Sequence, residues 1–171
     1  MKIGLNIKLG IFAGLINCLI WYLVAKSLNF YSLNIDQYRY YATLILLVLG
    51  IFITVYFERK SNGGFLDFKK GTKAGVVYAL ILGITLGIFN FLYYKFIVPD
   101  AIDYFVSEAK KLMIDQKVSP ENIAKSTEVI ISYFSSFRMA MSTVIVGVIV
   151  SLLAGAVFRK RDPNTIQFSG N

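Results

Sequence analysis

Four apolar stretches, each close to the thickness of a bilayer's hydrocarbon core, constrain this chain more than any other feature. They cover residues 9–28, 41–57, 74–98 and 139–158. The unbroken apolar runs within them measure roughly 26, 26, 38 and 30 Å at helical rise, against a core of about 30 Å. The first run reaches residue 28 when Lys26 snorkels outward. Hydrophobic residues form 56% of the 171 and charged ones 16%, where a soluble domain holds about 45–50% and about 25%. A core of this size cannot hide that excess from water, so it must face lipid. Lipid leaves backbone groups no partner but each other, which makes these segments helices. No ten-residue segment alternates as a barrel strand would. The expected fold is an all-α integral membrane protein, a single membrane domain over 1–171 with four transmembrane helices.

Charge gives an expected orientation. The N-terminal segment, the connection between spans two and three, and the tail carry ten basic residues, Lys69, Lys70 and Lys73 among them, against three acidic ones, net +7. The opposite side holds eight basic and seven acidic residues, net +1. The positive-inside rule then puts both termini in the cytoplasm. The basic character reports topology; no basic stripe with exposed stacking aromatics suggests nucleic acid. Neither the Ala25-Lys26-Ser27 segment nor Leu15-Ile16-Asn17-Cys18 is expected to be a processing site, because the apolar run is long and continues past Cys18.

Between spans three and four the composition changes. Residues 99–138 contain six acidic and five basic residues. Ile102, Phe105, Val106, Ala109, Leu112 and Met113 fall on one helical stripe, and Ile123, Thr127, Ile130, Ile131, Phe134 and Phe137 on another. Pro99-Asp100 opens the first helix, which should stop near Lys117; Ser119-Pro120-Glu121 opens the second. The stripes should bury each other in an extracytoplasmic helical hairpin, whose outward Glu108, Lys110, Lys111, Lys125 and Glu128 would meet a partner. With no Gly or Pro from Glu121 to Val146, the second hairpin helix is expected to run unbroken into span four, a rod of some 40 residues and ~60 Å. On the other side, Asn62-Gly63-Gly64 is a chain breaker. Phe65, Leu66 and Phe68 read as a short interfacial lead-in to span three. The polar tail, 162–171, is expected to be disordered.

Candidate chemistry is sparse. The chain has no histidine and one cysteine, Cys18, which removes imidazole acid–base catalysis, histidine-based triads, thiolate zinc and an internal disulfide. No Gly-rich phosphate loop or metal-ligand cluster occurs, so no cofactor is expected. No Asp, Glu or Arg sits mid-span, where a pump or coupled transporter would need one. The outer carboxylates have plain roles as helix-start or solvated residues, and no enzyme is expected. Small residues at four-residue spacing (Gly10 with Gly14, Gly71 with Gly75, Gly83 with Gly87, Gly147 with Ser151 and Gly155) suit close helix packing inside the bundle, or self-association into a homo-oligomer. Lys69, Lys70 and Lys73 could hold a lipid phosphate or serve only as topology signal. Asn17 is either interhelical glue or the polar wall of a groove.

Gly63-Gly64-Phe65-Leu66-Asp67-Phe68-Lys69-Lys70-Gly71 before span three, Val98-Pro99-Asp100 opening the hairpin, Ser119-Pro120-Glu121 midway through it, and a glycine-rich last span ending in Arg159-Lys160 form a pattern. It resembles the bacterial domain-of-unknown-function family 4199, small multi-span proteins of the Bacteroidota, over nearly the whole chain. The resemblance implies a small integral membrane protein without assigned functional residues, with envelope glycosyltransferases as neighbours. The leading expectation is a non-catalytic partner or scaffold subunit of a cell-envelope system, associating through the hairpin and the glycine-faced helices. The alternative is a lipid-handling or small-solute transport component with a groove near Asn17.

Overall fold

The computed structural model describes residues 4–28, 30–31 and 35–160, with backbone alone at 35 and 36. Lys2, the Asp36 side chain and the tail 162–171 lie outside the described residues. The elements are α1 (Leu5–Ser27), α2 (Ile35–Ser61), α3 (Phe68–Leu92) running on into a π-turn (Tyr93–Ile97), α4 (Ala101–Asp115), α5 (Pro120–Tyr133) and α6 (Ser136–Val157). Four helices are long and apolar enough to cross a membrane: α1, α2, α3 with its π-turn, and α6. The chain is a multi-pass, all-helical membrane protein. α1, α2 and the start of α3 reach beyond the apolar stretches of the sequence. Hydropathy marks where a helix touches lipid; the backbone keeps its internal hydrogen bonds through the polar ends as well.

Side-chain size is sorted inside out. On α1 the buried residues Gly10, Ala13, Gly14, Asn17, Cys18, Trp21 and Ala25 recur every three or four positions, on one face. Phe12, Leu15, Leu19 and Leu23 are exposed on the other. Lipid accepts bulky apolar side chains freely, so small residues are reserved for places where backbones approach. α3 is the hub and packs against α1, α2 and α6. It has 44% of its apolar window buried, against 22–33% in the other spans.

At the end of the bundle opposite the hairpin, Gly63 and Gly64 take positive φ values of 68° and 87°, a backbone that other residues rarely adopt. Arg59 Nε donates to the Gly64 carbonyl at 2.9 Å and fixes the turn. The expected interfacial lead-in is more firmly held than the sequence suggested. Leu66 is buried and exchanges two 2.9 Å backbone hydrogen bonds with Lys160, so the loop is tied to the end of α6. Asp67 then caps α3 through the Lys69 N–H at 3.2 Å.

The long rod does not form. α5 ends at Tyr133, and Phe134 and Ser135 make an elbow before α6 starts at Ser136. Asn90 of α3, buried at the same level, donates from Nδ2 to the Phe134 carbonyl at 2.9 Å and to Ser136 Oγ at 3.0 Å. Breaking a helix strands carbonyl groups. A buried amide that satisfies one of them stabilises the bend without any glycine or proline.

Candidate functional site

The glycine faces are occupied within the chain. A Cβ added at Gly147 would collide with that of Ala79, and one at Gly75 would sit 2.5 Å from Ser151 Oγ. Gly155 lies against Thr72 and Phe68, while Gly83 and Gly87 lie against Ala140 and the Ser136 carbonyl. These contacts form the seam between α3 and α6. Gly10 and Gly14 face Ile81 and Thr85 in the same way and seat α1 on α3. Backbone is thus brought to backbone along α3, and these faces are not open for a second copy or a partner. Spacing of four missed a further site. Gly50 of α2 makes room for the ring of Tyr78, whose hydroxyl donates to the Leu46 carbonyl at 2.9 Å. A lone glycine amid bulky residues in mid-span was the only signal.

The hairpin end is built on aromatic rings. Trp21 of α1 packs on Phe89 and Tyr93 with centroids 5.0 and 4.7 Å apart. This group continues through Val98 and Ala101 into α4. Tyr94 meets Phe134 at 5.2 Å, and Phe134 stacks on Phe105 at 5.6 Å, joining the π-turn to both hairpin helices. α4 and α5 pack on each other as the stripes foretold, but loosely. Phe105, Val106, Ala109, Met113, Ile123, Thr127 and Ile130 are only half-buried. Leu112, Ile131 and Phe137, expected inside, are 58%, 49% and 74% exposed. Ile114, Val129 and Tyr133 are exposed as well. A two-helix layer has too little thickness to cover two full stripes. The turn between the helices carries Lys117 at φ 55°, and Ser119 starts α5 in extended conformation without a side-chain cap. Lys111 and Glu108 pair at 2.8 Å on the solvated face. Hydrogen bonding to Glu108, and then its charge, raises the Lys111 ammonium above its ordinary pKa.

A groove of about 330 Å³ opens between α2 and α6 at the hairpin end. Arg39 and Tyr40 from α2, Arg138 from α6 and Tyr133 at the end of α5 line it nearest the hairpin. Leu44 and Leu47 of α2, and Ser142, Thr143 and Val146 of α6, line it further along the two helices. Arg39 lies over the Trp21 ring at 4.5 Å, and Arg138 over the Tyr133 ring at 4.0 Å, with one N–H donated to Ser132 Oγ at 2.7 Å. Thr43 lines the wall. Behind it the buried Asn17 donates from Nδ2 to Thr43 Oγ1 at 2.8 Å, so Asn17 sits one side chain away from the groove. On the opposite end of the bundle Lys69, Lys70 and Lys73 are exposed over the first turn and a half of α3, where Asp67 already serves the Lys69 N–H.

Four lipid-compatible helices, an elbow and a helical hairpin define a small polytopic membrane protein with a base sealed by backbone contacts. The chain belongs to the family described as Protein of unknown function (DUF4199), whose model matches residues 8–160. No curated protein and no solved structure matches it.

Proposed function

We propose that this is a non-catalytic inner-membrane protein, both termini cytoplasmic, that holds an envelope protein partner through its extracytoplasmic hairpin. The observation that carries the reading is the surplus of apolar surface on α4 and α5. Leu112 and Ile131, both members of the two stripes, remain 58% and 49% exposed after the stripes have packed. Apolar side chains left uncovered on a polar, charged module mark an association surface. The hairpin carries them on a base made rigid by the α3–α6 seam and the Asn90 elbow. Because the glycine faces are closed within the chain, association falls to the hairpin alone. The charge imbalance between the two ends supports the orientation.

A photo-crosslinking residue at position 112 or 131 should give a protein adduct of defined mass in intact cells. The same residue at position 110 or 125, on the charged face that the sequence alone offered for docking, should give none, because the uncovered apolar stripe and not that face carries the contact. Adducts to lipid alone would mean that the hairpin lies on the membrane, and the reading would fall. For orientation, an impermeant thiol reagent should reach a cysteine at position 116 and not one at position 62 in intact spheroplasts; the reverse pattern would overturn it.

A further inference from the structure

We infer that the end of the bundle opposite the hairpin is a docking surface for anionic phospholipid. The ammonium groups of Lys69, Lys70 and Lys73 stand over the headgroups of lipids that lie along α3. This goes beyond a partner role for the hairpin and does not depend on it.

Three observations converge. The first is where these lysines stand on their helix. α3 is covered by α1, α2 and α6 and keeps one stripe toward lipid, in which Leu80, Ile84 and Ile88 are exposed. At about 100° per residue, Lys69, Lys70 and Lys73 fall within about 60° of the centre of that stripe. All three are exposed themselves. The face that meets acyl chains therefore ends in three cations, where long lysine stems can lift the charge to headgroup level. A charge that served topology alone could sit anywhere in the connection; these continue the lipid-facing stripe.

The second observation is the charge balance. The described carboxylates at this end are Glu58 and Asp67. Asp67 accepts from the Lys69 backbone N–H, and Glu58 from Asn62 Nδ2 at 3.4 Å. Among the described residues the ion pairs are Glu108 with Lys111 and Glu121 with Lys125, both in the hairpin. The three ammonium groups of α3 thus face outward with no described carboxylate against them. Neighbouring helices add further cations. Lys60 is exposed near the end of α2, and the two backbone hydrogen bonds between Leu66 and Lys160 hold Arg159 and Lys160 beside the start of α3. Each cation near a membrane surface strengthens binding to anionic lipid roughly fivefold.

The third observation is the kind of cation. Lysine ammonium groups are compact point charges on flexible stems, without the planar fork that fixes a phosphate in one geometry. They select net negative charge. Phosphatidylglycerol carries a phosphate and no amine, whereas phosphatidylcholine carries the same phosphate beside its own fixed cation. The occupant is therefore a lipid of net negative charge. Inorganic phosphate has the charge but no chains to lie against Leu80, Ile84 and Ile88.

The test uses the full-length protein in mild detergent, with retained lipid counted by native mass spectrometry and affinity read by titrating the melting temperature. Phosphatidylglycerol should be retained and raise the melting temperature, and phosphatidylcholine should bind at least about tenfold more weakly. Lys73→Gln should weaken phosphatidylglycerol roughly fivefold, and Lys69→Gln, Lys70→Gln and Lys73→Gln together roughly a hundredfold. Lys69→Arg, Lys70→Arg and Lys73→Arg together should keep wild-type affinity, because the charge is kept. The three positions are exposed, so folding should be undisturbed, which elution volume and unliganded melting would verify. The triple glutamine variant still leaves this side at +7 less three, or +4, against +1, so its insertion should be unchanged. Lys110→Gln with Lys111→Gln, in the hairpin, should leave lipid binding as it is. Wild-type affinity in the triple glutamine variant would overturn the surface, as would equal affinity for phosphatidylcholine or a loss in the hairpin variant alone. Competition by inorganic phosphate at matching concentration would show that the apolar stripe contributes nothing. Displacement of the lipid by an oligo-glutamate peptide would assign the lysines to an acidic protein instead.

Discussion

The α3–α6 seam and the α4–α5 hairpin are both contacts between two helices, yet they are made from opposite kinds of residue. The seam joins Gly75, Gly83, Gly87, Gly147, Ser151 and Gly155 with the bulky side chains turned outward. The hairpin joins Phe105, Met113, Ile123 and Phe134, with charges turned outward. In lipid, hiding an apolar side chain gains little, so the helices gain by backbone proximity and dispersion. In water the same burial removes apolar area from solvent and is the main source of stability. Each region is composed for a different solvent, and the change from one composition to the other falls at the Asn90 elbow and the π-turn.

Mutations can break this contrast. The largest effect should come from Gly147→Ile, because even the first added carbon meets the Ala79 Cβ. Overpacking at a site with no room to yield should cost about 3 kcal/mol, read as a lower unfolding midpoint in mixed micelles. A cost below about 1 kcal/mol would mean the seam has slack, and close approach would not be what holds α3 to α6. Phe105→Ala should come next. Truncating a fully buried Phe costs about 3–5 kcal/mol; Phe105 is only half-buried, so about 2 kcal/mol is expected, confined to the hairpin and visible as faster hydrogen exchange in α4 and α5. Exchange that rises equally in α3 and α6 would show that the two regions unfold as one. The smallest effect should be Asn90→Leu. It removes two hydrogen bonds and leaves the Phe134 carbonyl without that donor, for about 1–2 kcal/mol. Spin labels at positions 125 and 153 should then move apart as α5 and α6 straighten toward one helix. An unchanged distance would assign the bend to the ring contacts of Phe134 instead.

The sequence by itself determined the parts that depend on solvent. Four runs of apolar residues and the lack of charge within them define four helices, since a backbone in lipid has no other partner. The amphipathic stripes of 99–138, with Val98-Pro99-Asp100 and Ser119-Pro120, define a hairpin, because their periodicity already says which face leaves water. The glycine spacing showed that backbones approach somewhere. Which backbones was a tertiary matter: a face without side chains carries no complementary pattern that names its partner, and only the fold pairs α3 with α6 rather than with another copy. The elbow was hidden for a similar reason. Nothing between Glu121 and Val146 breaks a helix locally, and the break is stabilised from outside by the amide of Asn90, 44 residues before Phe134 on a different span. The groove is the clearest case. Arg39 and Arg138 lie far apart in the chain, each reading as an interfacial charge at a span end. Only the parallel descent of α2 and α6 brings both to one groove, because charge is legible residue by residue while a cavity exists only between elements.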